Sequence, residues 1–114
     1  MSAPHDRPTA VELVEAVREL LTDELLDAVD GRLRFQVRVA ANALAMVGRE
    51  LELGPTQAAA HAERLAALGV ADDAALVAAI RAGAMDDRWD EVTAAVRAAV
   101  IDKLAVSNPT YAVE

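Results

Sequence analysis

Three features of this 114-residue chain predict an all-α fold: a single compact bundle of about five helices, three long and two short. Apolar residues recur at three- and four-residue spacing along most of its length. Its composition is dominated by Ala, Leu, Val, Glu and Arg, which favour helices. Every glycine except Gly48 falls between periodic runs rather than inside one.

Residues 1–8 hold two prolines and no periodic apolar pattern, so they read as a flexible N-terminal tail, with a single helical-bundle domain over 9–114. The first helix should begin at Thr9, which has capping-box spacing with Glu12. Leu13, Val14, Val17, Leu20, Leu21 and Leu25 form its expected buried stripe, and Asp30-Gly31 its stop. The second helix is expected over 32–52, ended by Gly54-Pro55. Leu33, Val37, Ala40, Leu44, Val47 and Leu51 give it one apolar seam, and Phe35, Val39, Ala43 and Met46 a second face, which predicts a central position. A third helix over 55–68 takes Pro55 in its first turn and exits at Gly69. A fourth runs from about Asp72 to Gly83 and buries Leu76, Val77 and Ile80. The fifth runs from about Asp86 to Val106, burying Trp89, Val92, Val96, Val100 and Leu104, and stops at Asn108-Pro109. No segment reads as a strand.

The chain has no cysteine, which excludes disulfides, thiolate metal sites and cysteine nucleophiles. Its net charge of −8 and its three aromatic residues argue against nucleic acid as a partner. A polar start and the lack of any run near ~20 apolar residues predict a soluble, cytoplasmic protein with no membrane contact. No serine or threonine lies in a nucleophile motif, no glycine-rich phosphate loop occurs, and His61 has no metal-ligand partner at a useful spacing. Catalytic residues, metals and cofactors are therefore not expected.

One polar pattern stands out. At about 100° per residue, Arg34, Arg38, Asn42 and Arg49 fall in one wedge of the second helix. Guanidinium forks and an amide in a row suit a carboxylate, a phosphate or an acidic patch of a partner. The same arginines could instead pair with Glu12, Glu15, Glu19 or Asp23 of the first helix, or with acids of the fifth. Beside the wedge runs a strip of small residues, Ala41, Ala45 and Gly48. A mid-helix glycine costs about 1 kcal/mol relative to alanine, so a close helix is expected against it, either the fifth helix or a second copy of the chain.

Two segments, RLRFQVRVAANALAMVGRELELG (Arg32 to Gly54) and DDRWDEVTAAVRAAVIDKLAVSNPTY (Asp86 to Tyr111), together with the opening RPTAVELVEAVREL, resemble an uncharacterised bacterial domain family of about this length. The most specific matches are Arg38-Val39-Ala40-Ala41-Asn42, Asp102-Lys103-Leu104 and Asn108-Pro109-x-Tyr111. The resemblance implies genes beside aminoglycoside-phosphotransferase-like kinases and acyl-CoA dehydrogenases, and hence an accessory protein in acyl-CoA or hydroxyacid catabolism. It implies no activity. It adds Lys103, Asn108 and Tyr111 to the candidate residues for binding an anion or a partner.

Overall fold

The computed structural model describes residues 7–111. Most of the expected tail, His5 included, lies outside them. Among the described residues every regular element is helical. Helix α1 spans 10–28: an α-helical Ala10–Leu20, a π turn Leu21–Leu25 and a last α-helical turn Leu26–Ala28. Helix α2 is Gly31–Ala67, α3 is Asp73–Arg81, and α4 is Trp89–Ser107 after a 3₁₀ turn, Asp86–Arg88. Among the described residues no helix is long and apolar enough to cross a membrane.

The expected second and third helices are one. Gly-Pro stops a helix when the glycine turns left-handed, and Gly54 does not; the left-handed glycines are Gly31, Gly69 and Gly83. Pro55 normally pushes its predecessor out of the helical region by crowding that residue's Cβ, and Gly54 has none. Pro55, which has no N–H, removes one hydrogen bond, and the helix continues through it. By its internal contacts the chain divides at this point into two compact units, one ending at Leu53 and the other beginning at Gly54.

The first unit is a hairpin of α1 and the N-terminal part of α2. The capping box forms as its spacing predicts: Thr9 Oγ1 accepts from the Glu12 N–H at 3.2 Å, and the Thr9 N–H donates to Glu12 Oε1 at 3.0 Å. The expected buried stripe on α1 is covered, and only in part, at Val14 and Leu21. Leu13, Val17, Leu20 and Leu25 are exposed, and it is Val11, Val14, Leu21 and Leu26 that are half-buried. The π turn explains the end of that stripe. The Leu26 N–H bonds back five residues to the Leu21 carbonyl, so Leu26 takes the inward place that a regular helix would give Leu25. On α2, Val37 and Ala41 are buried, while both expected apolar faces stay largely uncovered, Phe35 at 66% exposure. The small-residue strip faces α1: a Cβ on Gly48 would meet Val14 Cγ1 at 3.9 Å. Within the hairpin the neighbour of Gly48 is thus a side chain of α1.

The second unit packs the C-terminal part of α2 with α3 and α4. Leu65, Leu68, Leu76, Met85 and Val92 form one buried cluster, with Val70, Ala79, Ile80 and Ala95 against it. Val92 is 2% exposed, but Val77, Trp89, Val96 and Val100, expected inside, are exposed. Both turns are closed the same way. The Gly69 N–H donates to the Ala66 carbonyl and the Val70 N–H to that of Leu65; Gly83 and Ala84 repeat the pattern on Ile80 and Ala79. Asp72 caps α3 by accepting from the Ala75 N–H at 2.8 Å. Arg88 donates to the Leu68 carbonyl at 3.1 Å and to that of Ala67 at 2.9 Å, satisfying orphan acceptors at the end of α2.

Candidate functional site

The arginine wedge of α2 lies wholly in the hairpin, and its four residues do four different things. Arg34 is half-buried at the turn, where its Nη1 donates to the Leu26 carbonyl and lies 3.7 Å from Asp27 Oδ1. A cation there satisfies the negative end of α1, which is a structural task. One turn on, Arg38 and Asn42 are exposed and flank a recess of about 260 Å³ with Thr22, Leu21 and Leu26. Neither side chain makes a hydrogen bond or ion pair among the described residues. Arg49 lines a separate recess, with Glu15, Arg18 and Glu52, and is engaged rather than free. Sharing an azimuth is not sharing a place: 15 residues of helix put about 22 Å between Arg34 and Arg49.

The carboxylates of α1 are partly occupied within their own helix. Arg18 Nε donates to Glu15 Oε2 at 2.9 Å, and Nη2 to Oε1. That hydrogen bond holds the Glu15 carboxyl below its ordinary range and raises Arg18. Of the expected pairings with Glu12, Glu15, Glu19 and Asp23, Arg34 makes none; its acidic partner is Asp27. The π turn brings a further group to the Arg38–Asn42 recess. Thr22 lines it, and its hydroxyl bonds back to the Arg18 carbonyl at 3.1 Å.

Lys103, Asn108 and Tyr111 also part company. Asn108 ends α4: its N–H donates to the Leu104 carbonyl at 2.8 Å, its Oδ1 accepts from the Thr110 hydroxyl at 3.0 Å, and its carbonyl accepts from the Tyr111 N–H at 3.0 Å. Tyr111 borders a shallow recess with Ile101 and Leu104 but is 61% exposed, so it is not the buried anchor that its place after the helix stop suggests. Lys103 faces a different groove, shared with His61, Arg64 and Asp73.

That groove gathers residues which sequence spacing kept apart. His61 Nε2 lies 2.8 Å from Asp73 Oδ1, and Arg64 Nη2 donates to Asp102 Oδ2 at 3.0 Å. The partners stand 12 and 38 residues apart in the chain. The one local signal was His61 and Arg64 three residues apart on a single helix face. Among the described residues no group of three or more His, Asp or Glu side chains could hold a metal ion.

No curated protein and no solved structure matches the chain. A family match does exist, over residues 27–111, and it leaves out the opening segment that also carries the resemblance. It includes Arg34, Arg38, Asn42 and Arg49 as well as Lys103, Asn108 and Tyr111. With three-quarters of its length matched, the chain belongs to the family described as a domain of unknown function, DUF6285.

Proposed function

We propose that this protein is a non-enzymatic accessory protein that docks on a larger partner through one flank of its hairpin. A single observation carries the reading. On α1, Val11, Val14 and Leu21 turn toward α2, and Leu13, Val17 and Leu20 lie about a quarter-turn to one side. On α2, Val37, Ala41 and Gly48 turn toward α1, and Leu33, Val47 and Leu51 lie about a quarter-turn to one side. Because the two helices run antiparallel, both stripes fall on the same flank, away from Arg38, Asn42 and Arg49. Six large aliphatic side chains standing together in the open mark an interaction surface rather than ordinary solvent-facing residues.

The partner class comes from the resemblance: a phosphotransferase-like kinase or an acyl-CoA dehydrogenase, in acyl-CoA or hydroxyacid catabolism in a bacterial cytoplasm. The test is recovery of the tagged full chain from its own host, with mass spectrometry of what accompanies it. Either enzyme should be recovered with the wild type and lost with Leu20→Asp or Leu51→Asp, both of which change exposed residues. Recovery of neither enzyme at several salt concentrations defeats the reading.

A second reading, a small-anion site at Arg38 and Asn42, is favoured by the recess that these two share with Thr22. It predicts that Arg38→Gln abolishes anion binding while the apolar flank still recovers its partner.

A further inference from the structure

The groove of the second unit has a polar end and an apolar body. The side chains themselves set the register of its walls. Gln57 Nε2 donates to the Asp102 carbonyl at 3.0 Å, and Arg64 donates to the Asp102 carboxylate, so 57–64 lies beside the C-terminal half of α4. At the other end, Arg88 ties the start of α4 to Ala67 and Leu68. His61 joins the start of α3 through Asp73 at the same level as Lys103. The polar groups therefore collect at one end, and Leu65, Leu76, Ile80, Ala95 and Val96 line the rest.

The volume is about 310 Å³. That is the low end of the roughly 300–1,000 Å³ typical of small-molecule sites, so the fitting ligand is small. Val77, Val96 and Val100 stand open on the walls, which leaves room for an aliphatic chain against them. The charges at the polar end are unequal in availability. His61 is held by Asp73 and Arg64 by Asp102. The Lys103 ammonium has no hydrogen bond or ion pair among the described residues, although its carbonyl accepts from the Ser107 hydroxyl at 3.1 Å. Arg64 keeps one donor unmatched, since its Nε is buried with no acceptor. One free cation beside one carboxylate, Asp73, suits a single negative charge and disfavours a dianion.

The geometry points to a binding site for a small aliphatic monocarboxylate, its carboxylate at Lys103 and Arg64 and its chain along Leu76, Val96 and Val100. Its occupant is recognised by charge at one end and apolar surface along the body, as a ligand of either kind alone is not. The site lies in the second unit, and it stands or falls independently of the proposed docking on the hairpin.

The test uses the full chain and octanoate as the probe, with octanol and octylamine as the neutral and cationic comparisons. Calorimetry should show saturable one-site binding of octanoate, at least tenfold tighter than either comparison. Amide shifts in NMR should be confined to residues 61–65, 73–80 and 95–103. Lys103→Gln, which removes the charge at an exposed position, should weaken octanoate about tenfold and leave octanol unchanged. Ala99→Leu should block both by filling the groove; if that variant does not fold, Lys103→Gln and the shift map decide alone. Equal binding of octanol and octanoate, indifference to Lys103→Gln, or shifts centred on the hairpin would each overturn the proposal.

Discussion

The second unit gathers Leu65, Leu68, Leu76, Met85 and Val92 into one buried cluster, whereas Val37 and Ala41 are the buried residues of the hairpin. The hairpin is nevertheless the richer of the two in leucine and valine. The difference is geometric. Two helices touch along one line, so each can hide only a narrow stripe. Three segments around a common axis enclose the side chains that point inward, and α2, α3 and α4 do this after Gly54. Composition thus says how much apolar surface a segment carries, and helix number says how much of it finds cover.

Core truncation sharpens that contrast most. Leu68 is 4% exposed and Leu33 54%. Leu68→Ala should cost about 2–5 kcal/mol, the usual range for a leucine cut back in a packed core. Leu33→Ala should cost less than about 0.5 kcal/mol, as at ordinary surface positions. Urea unfolding of the full chain, followed by circular dichroism, measures both. A loss at Leu33 equal to that at Leu68 would break the comparison, because something in solution would then be covering the flank.

What could be read from the sequence follows the same division between local and distant contacts. Thr9, Asp72, Gly69, Gly83 and Asn108 stand at helix ends where capping chemistry places them, because caps depend on residues within one turn. Gly54-Pro55 misled because a stop signal is a preference that Gly54 was free not to follow. On α1 the π turn moves the inward place from Leu25 to Leu26, while at Leu13, Val17 and Leu20, before that turn, a broad apolar face does not show which edge of it meets α2. On α4 the expected stripe is buried at Val92 but not at Val96 or Val100, and Ala95 turns in instead, because the edge of the stripe that finds cover is set by the tertiary fold. The Arg wedge was a true azimuth and a false cluster, since helix rise separates what helix phase aligns. The groove was illegible for the opposite reason: Asp73 and Lys103 reach His61 and Arg64 only through the tertiary fold.

Glycines offer a middle-sized test that separates the units by sign. Gly48 has helical backbone, and an added Cβ would meet Val14 Cγ1 at an ordinary 3.9 Å. Gly48→Ala should therefore stabilise the hairpin by about 0.5–1 kcal/mol through lower unfolded-state entropy and better helix propensity. Gly83 has φ 80°, and its added Cβ would lie 3.3 Å from Asp86 Oδ2. Gly83→Ala should destabilise the second unit by about 1–2 kcal/mol. Thermal unfolding of both variants should shift in opposite directions. A loss at Gly48→Ala would mean that α1 and α2 approach more closely than this contact allows.

The smallest expected effect concerns acid. The Thr9 backbone N–H, and then its hydroxyl, hold the Glu12 carboxyl below its ordinary range. A hydrogen bond from Arg88 does the same for Glu91, at 2.7 Å. A carboxyl whose folded pKa is depressed binds fewer protons folded than unfolded. Its contribution is therefore complete above the unfolded value, about 4.3 for glutamate, and disappears as pH falls through the folded value. The two sites then differ in reach. Glu12 closes the first turn of α1, so its protonation should fray that turn and no more. Glu91 steadies Arg88, whose other bonds hold the end of α2 in the second unit. Amide exchange across this acid range should show early loss of protection at Glu12 and Leu13. At neutral pH, Glu12→Gln should reproduce that loss, and Glu91→Gln should instead loosen the amides of Leu68 and Gly69. If Glu12→Gln also loosens Leu68, the capping box is coupled to the second unit, and the two regions do not respond to acid separately.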